Sequence, residues 1–545
     1  MKKKLLACLT VIMSLSLTSC DAIFDWLNGG SNKYSYRSAD ESYRPAAATS
    51  LPPNSIEPQK GLYDYKDFVN NNVYEISSTP CEGNANILVI PLWFKDSGNY
   101  FIMDTWKEYV RRDIETAYFG TNEQTGWRSV KTYYEEESHG ALEISGTVSD
   151  WYYVDSSYQS YAQDEGAVKT AALVKKATDW YFEKNPSDSR THYDRDKDGD
   201  LDGVMVIYAA PDQRALSRED YSNLWAYCYW MQDKNAKNVN NPGANAFFWA
   251  SYDFMYGSNT VYSRTNMSKY ASGDTFHCTV DTHTYIHEMG HLFGLEDYYD
   301  YSSKEYDPAG TFSMQDRNVG GHDAFSSFAL GWGKAYVPST SITINLKPFA
   351  ESGEMILLSP NNTGSARSPF DEYLLLEYYT PTGLNKFDID HTYRGVSINA
   401  GANGSGIRVW HVDARLLYFS NSNPNVYSFT NNPTKANGKV ALAMSNTYND
   451  GEEETQGYLS PLGAAYYDYN ILQMIRNDTS VTSRPAERNG LLNKNLFKAG
   501  ESFTMSKFAK QFVNSGKLND RSDLGFKFEV KSVYENFAEI AITKL

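Results

Sequence analysis

Cysteine is scarce in this chain, five residues among 545. Cys8 lies in an N-terminal apolar run and Cys20 follows it, which leaves Cys81, Cys228 and Cys278, an odd and widely spaced set. A disulfide scaffold or a cysteine metal cluster is thereby excluded, and buried thiols or a single disulfide remain. Positive charge is also in deficit, with Lys+Arg 50 against Asp+Glu 67 and a formal net charge of -17. That balance repels phosphate backbones and anionic headgroups, and no basic patch in the body of the chain offsets it, so no nucleic-acid partner is expected. The run Leu5 to Leu17 is too short for a good membrane-spanning helix. No repeat of fixed period is visible, which argues against solenoids and propellers. What is present is a 41% apolar fraction with 15% aromatic residues, ample for a large core divided among two to four domains.

The N-terminus has the parts of an export signal: Lys2, Lys3 and Lys4, the apolar run, then Leu17-Thr18-Ser19-Cys20. The last four residues resemble a bacterial lipobox, in which cleavage before the cysteine exposes a residue that becomes lipidated. Residues 1–19 are therefore expected to be removed, leaving a lipid anchor at Cys20 on the cell envelope. The Ser-, Ala-, Asn-, Pro- and Gly-rich stretch that follows reads as a flexible tether over 20–80, with folded structure starting near residue 80.

Asn86 to Phe94 is a continuous apolar run of the kind found in a buried strand. Residues 142–148 alternate as a half-buried strand, 204–210 form another apolar strand candidate, and 102–119 and 165–183 carry helical spacing. From about 370 the balance shifts to strands, at 373–378, at 406–412 and in a terminal hairpin over 525–530 and 537–542. This mixture predicts an α/β (α+β) catalytic-type domain over 81–420 and a β-rich C-terminal region over 421–545.

The most informative stretch is His287-Glu288-Met289-Gly290-His291-Leu292-Phe293-Gly294-Leu295-Glu296-Asp297. Asp281 or Thr282 can cap a helix here, Ile286, Met289 and Phe293 give it an apolar stripe, and Gly294 can end it. His287 and His291 are four apart, so their rings leave one face one turn apart and can share a zinc ion. Glu288 is placed to take a proton from a water activated by that ion. A catalytic zinc needs a third protein ligand. Asp297 is the first choice, because a turn at Gly294 brings it back toward the helix, and Glu296, Asp300 and His322 are alternatives. His283 shares the face, but a separation of eight residues from His291, roughly 12 Å of rise, is too long for one ion.

His287 through Asp300 resembles the active-site segment of the immune inhibitor A family of secreted bacterial metallopeptidases, metzincin relatives with an aspartate as third ligand. Ser129 to Val148, Asp194 to Ala210, and Ser313-Met314-Gln315-Asp316-Arg317 leading to Phe325 and Leu330-Gly331-Trp332 agree with it. The resemblance implies a metzincin-like zinc endopeptidase acting on protein or peptide substrates, with Met314 as the Met-turn residue beneath the metal. No tyrosine after Met314 matches the oxyanion-stabilising tyrosine of some metzincins. A monomer is expected. The alternative is a surface binding protein or adhesin that keeps the peptidase scaffold only as architecture.

A second constellation is the acidic loop, where Asp194, Asp196, Asp198, Asp200 and Asp202 alternate around Gly199. Carboxylates this close repel one another, and oxygens at odd positions with glycine at the sixth suit calcium. Position twelve is Met205 where an EF-hand has glutamate, so a structural calcium loop of another type is expected.

Overall fold

The apolar run at 86–94 forms the central strand of a sheet. The structure, a computed structural model, describes residues 50–74, 79–99, 104–162, 167–210, 224–231, 237–256, 280–300, 308–310, 312–390, 401–423, 426–447, 469–483 and 493–545, with residues 45, 76 and 164. The expected signal segment, Cys20 and Cys278 lie outside these residues. The described residues divide into two compact units, one built from those within 74–136 and 140–295 and the other from those within 50–73, 137–139 and 296–545.

In the first unit, six strands form one sheet: β1 (Gly83–Phe94), β2 (Leu142–Val148), β3 (Tyr152–Val154), β4 (Val204–Tyr208), β5 (Tyr227–Trp230) and β6 (Ala246–Ser251). Their order is β2-β1-β4-β6-β5, with β3 beside β2 on the same edge of β1. All neighbours are parallel except β5, which runs antiparallel on β6 at the sheet's end. The period of two along β1 sends Leu88, Ile90, Leu92 and Phe94 into one cluster with Val204 and Val206 of β4 and Phe247 and Trp249 of β6. The helix formed by Val168–Lys184 covers that face. Ile87 and Val89, which point the other way, are equally buried. A parallel sheet covered on both faces reads as an unbroken apolar run, which is the pattern at 86–94.

Three helices of this unit matter for the site: α1 (Asp104–Phe119), α2 (Val130–Glu137) and α3 (Val168–Lys184). Leu173, Val174, Ala177 and Tyr181 of α3 recur at helical spacing and enter the sheet cluster, as their 3.6-residue period requires. The opposite face carries Phe248, whose ring meets that of Tyr285 edge-on at 5.5 Å. The histidine-bearing segment is thereby seated on the β5–β6 side of the sheet. Cys81 and Cys228 are buried thiols without a disulfide.

The second unit is β-rich, with β7 (Lys334–Tyr336), β8 (Ile342–Leu346), β9 (Glu354–Leu358), β10 (Glu372–Tyr379), β11 (Gly406–Asp413), β12 (Leu416–Ser420), β13 (Tyr427–Thr430), β14 (Gly438–Leu442), β15 (Leu472–Ile475), β16 (Ser502–Phe503), β17 (Phe526–Val533) and β18 (Ala538–Lys544). They form sheets of order β15-β11-β10-β9-β7, β13-β12-β14 and β16-β17-β18-β8. The first and last share one core, in which Ile356, Leu374 and Val409 meet Phe528, Ile540 and Phe497.

Two features of the fold cross the bounds expected from the sequence. The boundary near 420 falls inside this strand-rich unit, because β8 pairs with β18 from Ile342 to Leu346. The tether expected over 20–80 is folded over its last part. Tyr65–Asn70 is a helix with a capping box between Asp64 and Asp67, and its Tyr65 and Phe68 pack on Phe370 at 5.6 and 5.5 Å. Three buried side chains at i, i+3 and i+4 give this short segment the apolar anchor that a tether lacks. Among the described residues no helix is long and apolar enough to cross a membrane.

Candidate metal centre

The helix that carries the two histidines, α4 (His283–Leu292), has every residue buried, polar ones included. Its start is secured by Asp281, whose Oδ1 accepts from the His283 amide at 3.0 Å. Thr282 makes no side-chain cap, and its hydroxyl instead donates to the Arg128 carbonyl at 2.8 Å. The helix ends at Gly294, which adopts φ 108, a conformation that a Cβ disfavours. Its amide donates to the His291 carbonyl at 2.8 Å, and that of Leu295 reaches back to Gly290 at 3.2 Å. The chain thus reverses over one residue and returns Asp297 toward the helix. Leu295 and Glu296, where the two units join, are consecutive, so the placement of Asp297 relative to His291 is local chain geometry.

His287, His291 and Asp297 each offer a ligand atom, all within 4.8 Å of one another, and all three residues are buried. The two imidazole centroids are 5.0 Å apart. Nδ1 of His291 lies 2.9 Å from the Leu295 carbonyl oxygen, which makes Nδ1 the protonated nitrogen and leaves Nε2 the one able to bind a metal. Two neutral imidazoles and a carboxylate on one short segment suit zinc, with a position left for water. Glu288, adjacent to the first histidine, is only 1% exposed. His283 is not in the cluster, and neither are Glu296, Asp300 and His322, the other candidates for the third position.

The helix is braced from several elements. Tyr285 stacks on Tyr118 of α1 at 5.5 Å with nearly parallel rings, and its hydroxyl donates to the Ser251 carbonyl at 3.1 Å. The amide of Thr79 donates to the Leu292 carbonyl at 2.8 Å. Met314 is completely buried in a turn closed by the Asp316 amide on the Ser313 carbonyl at 2.9 Å.

The acidic loop divides its five carboxylates into two sets. Asp194, Asp196 and Asp202 offer oxygens within 4.8 Å of one another. Asp198 and Asp200 are instead paired with Lys237, at 2.8 and 3.0 Å, a cation distant in sequence that no local pattern would reveal. Asp194 accepts from the amides of Asp198 and Gly199, which wraps the loop around it, and Gly199 at φ 91 permits the turn. Asp202 accepts from the Asn86 amide at 2.7 Å and the Arg195 amide at 2.8 Å, and its carbonyl accepts from the Thr79 hydroxyl. The loop is thereby tied to β1 at the point where β4 begins. Burial, reinforced by the charges of Asp196 and Asp194, pushes the Asp202 carboxyl up to about 8. Asp194 is raised as well, chiefly by burial. A cation among these oxygens opposes both effects.

No curated protein matches this chain. Residues 102–318 match the family described as immune inhibitor A peptidase M6, catalytic domain, a stretch that includes the histidine helix, Asp297, the acidic loop and Met314. Over this stretch the chain is similar to the catalytic domain of the immune inhibitor A-like metallopeptidases.

Proposed function

We propose that the protein is a zinc endopeptidase with a metzincin-like active site that hydrolyses peptide bonds of extracellular proteins. The observation that carries this reading is the convergence of His287, His291 and Asp297 beside Glu288, within a family of metallopeptidases. When bound by these three residues, zinc supplies Lewis acidity that activates water and stabilises negative charge on the carbonyl oxygen. The Glu288 carboxylate accepts the proton of the attacking water and delivers it to the departing amine. His291 is held in one tautomer by Leu295, and Met314 takes the part of the Met-turn residue. No covalent intermediate with the chain is needed.

Calcium at Asp194, Asp196 and Asp202 belongs to the same proposal, as a structural ion fixing the approach to β4. Export and lipid attachment at Cys20 complete it, resting on Lys2 to Lys4, the apolar run and Leu17 to Cys20. The test is the initial rate on an unfolded protein substrate, with zinc content measured and Glu288→Ala as the blank. Turnover in the parent and none in the zinc-loaded variant is the expected result. Equal rates in the two, or a folded parent that binds no zinc, would overturn the reading.

A further inference from the structure

Two side chains from separate elements donate hydrogen bonds to carbonyl groups of α4 on either side of His287. Tyr134, on α2, donates its hydroxyl to the Ile286 carbonyl at 2.6 Å. Cys228, on β5, donates its thiol to the Glu288 carbonyl at 3.1 Å. Both side chains are buried, Tyr134 at 0% and Cys228 at 3% exposure. The carbonyls at 286 and 288 already belong to the helical ladder, so neither bond is needed to form the helix.

At 100° per residue, positions 286 and 288 lie about 200° apart around the axis, with 287 midway between them. The donors therefore approach from opposite flanks of the face that carries His287 and His291. Ring contacts such as that of Tyr134 on Phe293, edge-on at 5.0 Å, hold the helix close but tolerate sliding, whereas hydrogen bonds are directional. A roll of about 10° about the axis would carry a histidine tip by about 1 Å, and misplacement of that size is costly to catalysis.

We propose that Tyr134 and Cys228 are positioning residues that set the roll of the histidine helix, and so the direction of the metal ligands and of Glu288. This rests on the zinc reading above. Neither residue touches the reacting atoms, and the thiol serves as a donor, with no redox step and no metal bond.

The test uses purified protein in which cobalt(II) takes the place of zinc, with the visible absorption of the bound cobalt reporting ligand geometry. Tyr134→Phe and Cys228→Ala each remove one donor, and Cys228→Ser restores one. We expect both donor-removing variants to stay folded, to shift the cobalt spectrum, and to lose about two- to tenfold in kcat with KM little changed, the scale of one neutral hydrogen bond. Cys228→Ser should recover most of the parent spectrum. Parent-like spectra and kcat in Tyr134→Phe and Cys228→Ala, with only the melting temperature lowered, would overturn the proposal while leaving the zinc reading intact. Identical behaviour of Cys228→Ser and Cys228→Ala would also overturn it. A parent that binds neither cobalt nor zinc would sink both readings together. Should Cys228→Ala fail to fold, Tyr134→Phe decides the matter alone.

Discussion

Nδ1 of His291 is 2.9 Å from the carbonyl oxygen of Leu295, a residue beyond the helix that carries the imidazole. The bond spans the reversal at Gly294 and links the second histidine to the strand of chain that delivers Asp297. One turn of backbone thus does three things: it ends the helix, fixes the tautomer of His291 and brings Asp297 into the cluster with the two histidines. An imidazole whose outer nitrogen is held by a carbonyl is also the more basic ligand.

Gly294→Ala should therefore disturb the metal site more than its distance from the ligands suggests. The residue sits at φ 108, where a Cβ costs about 1–2 kcal/mol. Relaxing that strain moves Leu295 away from His291. Zinc affinity, measured by competition with a chelator of known strength, should fall by about 10-fold or more. A lower melting temperature with unchanged zinc affinity would show that the turn and the site are independent.

Asp297→Ala removes a buried carboxylate that is proposed as the third zinc ligand, and should weaken zinc binding by more than about 100-fold, beyond the loss typical of an outer-shell partner. Glu296→Ala, at an exposed position next to it, should keep the parent affinity. Dialysis of the two variants side by side, followed by metal analysis, separates them. Retention of stoichiometric zinc by Asp297→Ala would assign the third position elsewhere.

The reach of the sequence follows how local each feature is. His287, Glu288 and His291 are legible because a helix places residues four apart on one face, and Asp297 because Gly294 announces a reversal. The strands β1, β4, β10 and β11 were visible as apolar runs. By contrast, β5 and β6 are not legible in the sequence, although Cys228 and Phe248, paired across them, seat the histidine helix. Neither short run alternates, although Pro242-Gly243 marks a turn before β6, and their role comes from what they face. Lys237 joins the acidic loop from a separate segment, and the pairing of β8 with β18 joins distant parts of the chain. Both are non-local, and periodicity reports only neighbours.

The acidic loop should make stability depend on calcium. An ion that binds only the folded state stabilises it by about 2.7 kcal/mol at a free concentration 100-fold above Kd, read as a rise in the unfolding midpoint that a chelator reverses. Asp202→Asn keeps the shape but removes one of the three clustered carboxylates, and should abolish most of that rise. Magnesium should do less, because it tolerates irregular oxygen sets poorly. The same calcium response in parent and variant would remove Asp202 from the ligand set.

Lys498 gives the second unit a defined pH signature. Burial lowers its amine from 10.5 to about 8, with the Glu501 carboxylate acting the other way, while Nζ donates to the Ser405 carbonyl. In the unfolded chain this lysine holds its proton up to its ordinary value, whereas in the folded chain it releases it near 8. Between those values the unfolded state binds more protons, so stability rises with pH across that window. Below 8 the folded state bears the full cost of a buried charge, about 3 kcal/mol at 1.4 kcal/mol per tenfold. Lys498→Met removes the charge and with it the dependence. The difference in urea midpoint between variant and parent should then favour the variant most near pH 7 and shrink steadily toward about pH 10. The lost hydrogen bond to Ser405 adds only a constant offset, so the slope is the diagnostic quantity. A difference that stays flat would mean that the amine keeps its ordinary affinity for the proton inside the fold, and one that grows in favour of the variant as pH rises would mean that the fold binds that proton more tightly than the unfolded chain does.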